Sequence, residues 1–425
     1  MTILLAVTLV IAIVIRIPLA FSLGLSCLIV LWATGDVSML IIPQRIFAGI
    51  DSFSLLAIPF FLLAGNLMTA SGITHRILDF ANAIVGRFHG GLAISNIIAS
   101  IFFGGISGSA VADTAAVGGV LIPAMIKEGY GRGFSVAVTA SSSVVAPIIP
   151  PSIVFIVYGV LTGQSITRLF LAGAIPGILY GLVLIGLSYY ISKKRNYPKH
   201  PPAGLREIWT SFKRSALAIF MPVFILGGIV SGVFTVTECS AIAVVYALVV
   251  GLFIYRKLRF RDLIPIIRDS SRTSALIMLI VGMAKLFSWV LVNNRVPQVI
   301  AAGIMEFTSN PLLVLLLINA VLLFIGTFME ANAALVMLIP VLFPLTQIAG
   351  IDPIHFGVVA SMNICLGLIT PPVGLCLNLS CEIAGSTLEK GTSSIIPFFL
   401  VGVISLLIVS IFSQLSLFLP GLMMP

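Results

Sequence analysis

The chain has 425 residues, 59% of them hydrophobic and only 9% charged, with a mean hydropathy of +1.20. That composition excludes a soluble globular surface, and apolar runs near or above the roughly 20 residues needed to cross a bilayer recur from end to end. The net charge of +9 gives no reason to expect nucleic acid once it is located: thirteen basic residues fall in two segments beside apolar runs, as in cytoplasmic loops.

In chain order, residues 2–15 and 18–33 read as a pair of helices turning at Arg16. The first is a span rather than a signal peptide, because no basic residue precedes it and no small-residue cleavage site follows. An interfacial stretch with Arg45 leads to a helix over 53–68. Residues 74–88 set apolar Ile77, Leu78, Phe80, Ile84 and Val85 against Arg76, Asp79 and Arg87, an amphipathic helix expected at the interface. A hairpin over 91–126, a broken helix over 134–161 and a span over 169–191 complete a first unit, 1–192.

The first basic segment (Lys193, Lys194, Arg195, Lys199, Arg206, Lys213, Arg214) makes 193–214 a cytoplasmic loop. A second unit, 215–425, repeats the order: a pair over 216–233 and 238–254, then the second basic segment (Arg256, Lys257, Arg259, Arg261, Arg268, Arg272). A helix over 273–291, an interfacial stretch over 297–307, a hairpin over 311–348, a broken helix over 354–381 and a span over 395–418 follow.

The duplication is plainest where the sequence is least helical. Phe103-Gly-Gly-Ile-Ser-Gly-Ser-Ala-Val-Ala-Asp-Thr114 leads to Pro123 and then to Ala146-Pro-Ile-Ile-Pro-Pro-Ser152. Ile325-Gly-Thr-Phe-Met-Glu-Ala-Asn332 leads to Pro340 and then to Gly367-Leu-Ile-Thr-Pro-Pro-Val-Gly374. The offset is 217 at the hairpins (340 minus 123; 330 minus 113) and 221 at the proline pairs (371 minus 150), which sets Asp113 opposite Glu330. A hairpin that enters and leaves on one face adds no crossing, so each unit crosses five times and the two copies are inverted. The predicted fold is therefore an all-α integral membrane protein of two inverted repeats, with about ten transmembrane helices and two re-entrant hairpins. Both termini are expected on the periplasmic or extracellular side, with both basic segments in the cytoplasm.

Such broken elements belong to secondary transporters, whose free carbonyls and helix ends near the midplane hold ions and substrate. A proline lacks the amide that would reach the carbonyl four residues back. Pro147, Pro150 and Pro151 are thus expected to free the carbonyls of Ser143, Ala146 and Pro147, and Pro371 and Pro372 those of Gly367 and Leu368. Hard monovalent cations favour such oxygens. With hydroxyls and backbone from Ser107, Gly108, Ser109 and Thr114 at the tip in one copy and Gly326, Thr327, Asn332 and Thr370 in the other, the pattern predicts a sodium ion at each tip as the coupling ion, with no other metal or cofactor. The alternative is that the prolines only kink helices for packing.

Asp113, Thr114, Ser152, Glu330, Asn332 and Lys285 are the candidates for substrate binding or coupling, since an ionisable group at membrane depth is costly and usually functional. Either carboxylate could instead cap its helix or be buried as an acid, and Lys285 could pair with a carboxylate, attract an anion or snorkel. Glu238 reads as an N-terminal helix charge. The five cysteines are scattered and without neighbouring histidine, so they read as buried hydrophobes. Gly105-Ile-Ser-Gly108 fits an intramembrane serine protease pattern, but no histidine lies within a span to serve as base, and the chain is not expected to be an enzyme.

Ser107-Gly-Ser-Ala-Val-Ala-Asp-Thr-Ala-Ala116, Ala146-Pro-Ile-Ile-Pro-Pro-Ser152, Gly232-Val-Phe-Thr-Val-Thr-Glu-Cys239 and Gly367-Leu-Ile-Thr-Pro-Pro-Val-Gly374 closely resemble motifs of the large permease subunit of TRAP (tripartite ATP-independent periplasmic) transporters, over essentially the whole chain. The resemblance implies a bacterial inner-membrane subunit that pairs with a small four-helix membrane subunit and a periplasmic substrate-binding protein. It also implies sodium-driven import of an organic acid by an elevator-like movement of the hairpin-bearing part. Val236 stands where the family usually has proline, and Glu330-Ala-Asn where aspartate followed by threonine or proline is commoner. The competing reading is a stand-alone anion exchanger of the same inverted-repeat architecture.

Overall fold

Apolar runs interrupted by glycine and proline build a molecule of helices. The computed structural model describes residues 2–35, 37–299, 303, 308 and 310–424, and these include nineteen helices, with no strand among the described residues. The first half comprises α1 (Thr2–Val14), α2 (Leu19–Thr34), α3 (Ile41–Ile50), α4 (Phe53–Ala70) and α5 (Ile73–Val85). Next come the hairpin α6 (Gly91–Ser107) and α7 (Ala110–Lys127), the broken pair α8 (Arg132–Ser143) and α9 (Ile153–Thr162), and the long α10 (Ile166–Lys194). The second half runs through α11 (Leu205–Val230), α12 (Val236–Ile254) and α13 (Phe260–Asn293) to the hairpin α14 (Pro311–Gly326) and α15 (Ala331–Ile348). The broken pair α16 (Pro353–Gly367) and α17 (Leu375–Ala384), then α18 (Leu388–Ile411) and α19 (Gln414–Met423), close the chain. The interfacial stretch expected over 297–307 falls largely on residues 300–302 and 304–307, outside the described residues.

Eight of these helices are long and apolar enough to cross a membrane. Three begin well before the expected spans, α18 at Leu388 rather than at 395. α11 starts at Leu205, inside the segment read as a loop over 193–214, and α13 starts at Phe260 and runs for 34 residues, about 51 Å against the roughly 30 Å of a hydrocarbon core. The reason is that Lys and Arg are good helix formers, so a basic segment continues a helix while its side chains stay in water. α5 buries Ile77, Leu78 and Val85 as expected, but Ile84 on its outer face is exposed and Phe80 is half-buried.

Two hydrophobic clusters divide the helices. The larger runs through α4 to α19, and the smaller joins α1 and α2 to the far end of α13 through Leu5, Leu23, Val30, Leu286 and Val290. Phe21, Trp32, Phe220, Phe253, Leu400 and Phe418 are exposed, as expected for helices whose solvent is hydrocarbon. α6, α8 and α16 are instead buried almost all round, and these helices carry the breaks. Packing is crossed: α9 lies against α15, and α17 against α7, so each half's broken helix meets the returning arm of the other half's hairpin.

Candidate functional site

Each hairpin turns against its own half's proline break, and glycine makes the approach close. α6 ends at Ser107; Gly108 then takes a left-handed turn (φ +58°) whose amide caps the Gly104 carbonyl at 2.9 Å, and extended Ser109 becomes the N-cap of α7. A Cβ on Gly108 would lie 2.6 Å from the Pro151 oxygen, and one on Gly104 would lie 2.6 Å from the Ala146 Cα. In the second half a Cβ on Gly367 would meet the Gly326 carbonyl at 2.4 Å, and the Val373 amide donates to the Thr327 carbonyl at 3.3 Å. Both contacts are main chain on main chain. The peptide bonds Pro150–Pro151 and Pro371–Pro372 are both cis.

The breaks leave fewer carbonyls free than the proline rule predicts. The Ser143 carbonyl accepts from the Ala146 amide (3.2 Å) and Gly367 from Thr370 (3.0 Å), while Leu368 accepts from Cys376 (3.0 Å) and Pro147 from the Ser152 hydroxyl, which also caps α9. Proline removes the donor four residues on, but at Ser143 and Gly367 a tightened turn brings in the amide three residues on. The Ala146 carbonyl alone of the five takes no donor among the described residues. The other four keep a second lone pair.

The hydroxyls sort likewise. Ser107 lies at the tip, the Ser109 oxygen caps the Ala112 amide, and Ser143 donates to its own helix at Thr139. Thr327 and Thr370 donate back to the Phe324 and Leu366 carbonyls. Thr114 is not a tip residue: it is fully buried within α7, bonded to the Ala110 carbonyl at 3.0 Å.

Asp113 and Glu330 are not equivalents. Glu330 is the half-buried N-cap of α15, its oxygens taking the Ala333 amide (3.1 Å) and the Asn332 side chain (2.9 Å). The residue in that position in the first half is Ser109, whereas Asp113 sits a turn deeper, fully buried. The offset of 217 came from matching Pro123 to Pro340; Pro344 matches Pro123 at 221 (344 minus 123), and the same spacing relates Ser109 to Glu330 and Pro176 to Pro397.

Asp113 accepts from Ser100 at 2.7 Å, and Ser100 also reaches Ser142 (3.0 Å), which donates to Asn96 (3.1 Å), whose amide donates to Thr139 (2.7 Å). The second half has its own hinge of this kind, with Asn363 donating to Asn319 (3.0 Å) and Asn319 to Ser410 (2.9 Å). Sequence reasoning missed these residues. The signal was there: Asn96 and Ser100 share one face of α6, opposite a run of hydroxyls from Thr139 to Ser143. One Asp113 oxygen and the Asn332 side-chain oxygen are buried with no donor among the described residues, so each half keeps an orphaned acceptor near its hairpin turn.

Lys285 pairs with no carboxylate among the described residues. Its ammonium donates to the Val160 and Leu161 carbonyls (3.0 and 3.2 Å), capping the last turn of α9 from α13 and meeting the negative end of that helix dipole. Glu238 completes a capping box with Thr235, so Val236 in place of proline leaves that helix start intact. The five cysteines are free and buried, and no group of three metal-ligating side chains occurs among the described residues. What the arrangement offers is oxygen: hydroxyls, turn carbonyls and one buried carboxylate, a donor set for a hard cation rather than a nucleophile.

The sequence profile of the family described as "Tripartite ATP-independent periplasmic transporter, DctM component" matches residues 6–415. The chain is 40% identical to the sialic acid TRAP transporter large permease protein SiaM of Vibrio cholerae serotype O1, over 95% of each chain. It is also 40% identical to the C4-dicarboxylate TRAP transporter large permease protein DctM of Pseudomonas aeruginosa, over 94% of each. Among solved structures it is similar in fold to the YdaH transporter of Alcanivorax borkumensis, with a TM-score of 0.58 and 15% identity over 88% of this chain and 87% of that one.

Proposed function

Because the chain belongs to the family of DctM components of tripartite ATP-independent periplasmic transporters, a family of membrane transport proteins rather than enzymes, we propose that it is the large permease of a system importing an organic acid into a bacterial cell. The sodium gradient drives it, a periplasmic binding protein delivers the acid, and a small four-helix membrane subunit completes the complex. The two halves form inverted repeats, with both termini on the periplasmic face. The hairpins and broken helices, α6 to α9 and α14 to α17, move as an elevator against a frame of α2 to α4 and α11 to α13.

The single observation that carries this reading is the pair of hairpin turns, each lodged against a proline break and near an orphaned buried acceptor, Asp113 in one half and Asn332 in the other. The donors fit sodium. At the first tip Ser107, Gly108 and Ser109 would hold it with the Ala146 carbonyl and the spare lone pairs of Ser143 and Pro147. At the second, Gly326, Thr327, Gly367, Leu368 and Thr370 would do so. Bound sodium supplies positive charge beside which an anionic substrate is stable. The chain's own part is to hold those oxygens in place by main-chain contact and to exclude water by close packing.

The test is uptake of radiolabelled C4-dicarboxylates and sialic acid into proteoliposomes holding this chain and its small subunit, with the binding protein added outside. Uptake should require an inward sodium gradient and the binding protein. Equal uptake from sodium-free buffer would overturn the coupling, and uptake by this chain alone would favour a self-sufficient exchanger.

A further inference from the structure

A cavity of about 650 Å³ opens where α4 ends and α5 begins, lined by Gly72, His75, Arg76, Asp79, Arg214 and Lys257. Three of these are permanent cations and one is a carboxylate, a formal excess of two positive charges. None of the four is in an ion pair among the described residues, where the pairs present are His200–Glu128, Arg261–Asp262 and Arg268–Asp269. Like charges gathered round one space repel each other, so the arrangement gains from an anion placed between them.

One of the cations, Arg76, is held in place without being neutralised. The Arg76 guanidinium stacks on the Tyr255 ring, 3.7 Å from its centroid, and donates to the Arg214 carbonyl at 3.3 Å, while the Tyr255 hydroxyl donates to the same carbonyl at 3.2 Å. One face and one N–H of Arg76 are thereby used, and its remaining donors are left for a ligand; a guanidinium fixed in this way suits phosphate oxygens. Apolar surface adjoins the charge. Phe253 and Ile254, directly before Tyr255, are 63% and 52% exposed.

We propose that this cavity binds the phosphate headgroup of an anionic phospholipid, with its acyl chains lying along the exposed Phe253 and Ile254 face of α12. A soluble phosphate would use the same cations and have no use for that face. Because the walls come from α5, which leads into the first hairpin, and from α11 and the segment after α12, the lipid ties the hairpin's entrance to the frame. The proposal depends on the membrane setting alone and not on the cargo or the coupling ion.

The experiment is native mass spectrometry of the purified chain with phosphatidylglycerol, cardiolipin or phosphatidylcholine added, alongside thermal stability in the same mixtures. The anionic lipids should be retained and raise the unfolding temperature, and phosphatidylcholine should not. Removing each cation should weaken retention roughly fivefold, and the triple variant Arg76→Gln, Arg214→Gln, Lys257→Gln by about a hundredfold. Arg259→Gln with Arg261→Gln, outside the cavity, should leave retention unchanged. If the triple variant fails to fold, Lys257→Gln alone, at an exposed residue, still reads the roughly fivefold loss. Undiminished retention by these variants, equal retention of phosphatidylcholine, or equal protection by inorganic phosphate would each overturn the proposal.

Discussion

The first hairpin turns on glycine and buries its carboxylate; the second turns without glycine and uses its carboxylate as a cap. Gly108 stands in the left-handed region, while Met329, the residue 221 positions on, lies outside it. Asp113 is fully buried with one oxygen unpartnered, whereas both Glu330 oxygens accept a hydrogen bond. The same polypeptide path has thus been kept by two chemistries. The first half invests in a polar interior, the second in helix capping, and the two tips should answer differently to the same substitution.

The sharpest break between them is steric. Gly108→Val adds a side chain 2.6 Å from the Pro151 oxygen in a left-handed residue, a strain of about 1–3 kcal/mol before any clash, and should abolish uptake; Met329→Val should leave uptake within about twofold. Equal tolerance at both positions would erase the distinction. Next comes charge. Asp113→Asn should lower uptake about tenfold or more, the loss expected for one charge-assisted hydrogen bond of ~1.5–3 kcal/mol, and, by removing a negative charge near the first tip, should raise the sodium concentration for half-maximal rate, whereas Glu330→Asp, another good cap, should change neither. A sodium dependence that shifts only in the Glu330 variant would reverse the assignment of the two carboxylates.

The buried amide hinges come third. Asn363→Ala leaves Asn319 short of a partner and should cost about 1–3 kcal/mol, read as a lower unfolding temperature in detergent, with Asn96→Ala similar because Ser142 and Thr139 lose theirs. The smallest effect belongs to Lys285→Met, which uncaps α9. It should cost about 0.3–2 kcal/mol and leave substrate affinity unchanged if the ammonium acts as a cap on α9. A large rise in the half-saturating substrate concentration would restore the anion-binding reading.

Much of this was legible in the sequence because the determinants are local. The hairpins and the breaks follow from glycine, proline and hydropathy, and the structure keeps them within a few residues, while three apolar helices, α11, α13 and α18, begin 7 to 13 residues earlier than expected. What misled was a coincidence, Pro340 standing where Pro123 seemed to need a partner while the true counterpart, Pro344, lay one turn on. The freed carbonyls were over-predicted because the proline rule names the donor that is lost and says nothing of the others within reach: an amide one residue nearer for Ser143 and Gly367, the Ser152 hydroxyl for Pro147 and the Cys376 amide for Leu368. Lys285 was illegible for another reason: its partners lie about 125 positions away at a helix end, and no periodicity reaches that far.

The seam between Gly326 and Gly367, and that between Gly104 and Ala146, carries a consequence for how such a molecule diversifies. Joints in which glycine meets main chain leave only the Ala146 methyl to exchange, so a substitution there destroys the contact rather than tuning it. Neither joint can be retuned by degrees. A new cargo has to be accommodated by lining residues elsewhere, while the joints stay fixed, and an engineer seeking altered selectivity should leave these four positions untouched.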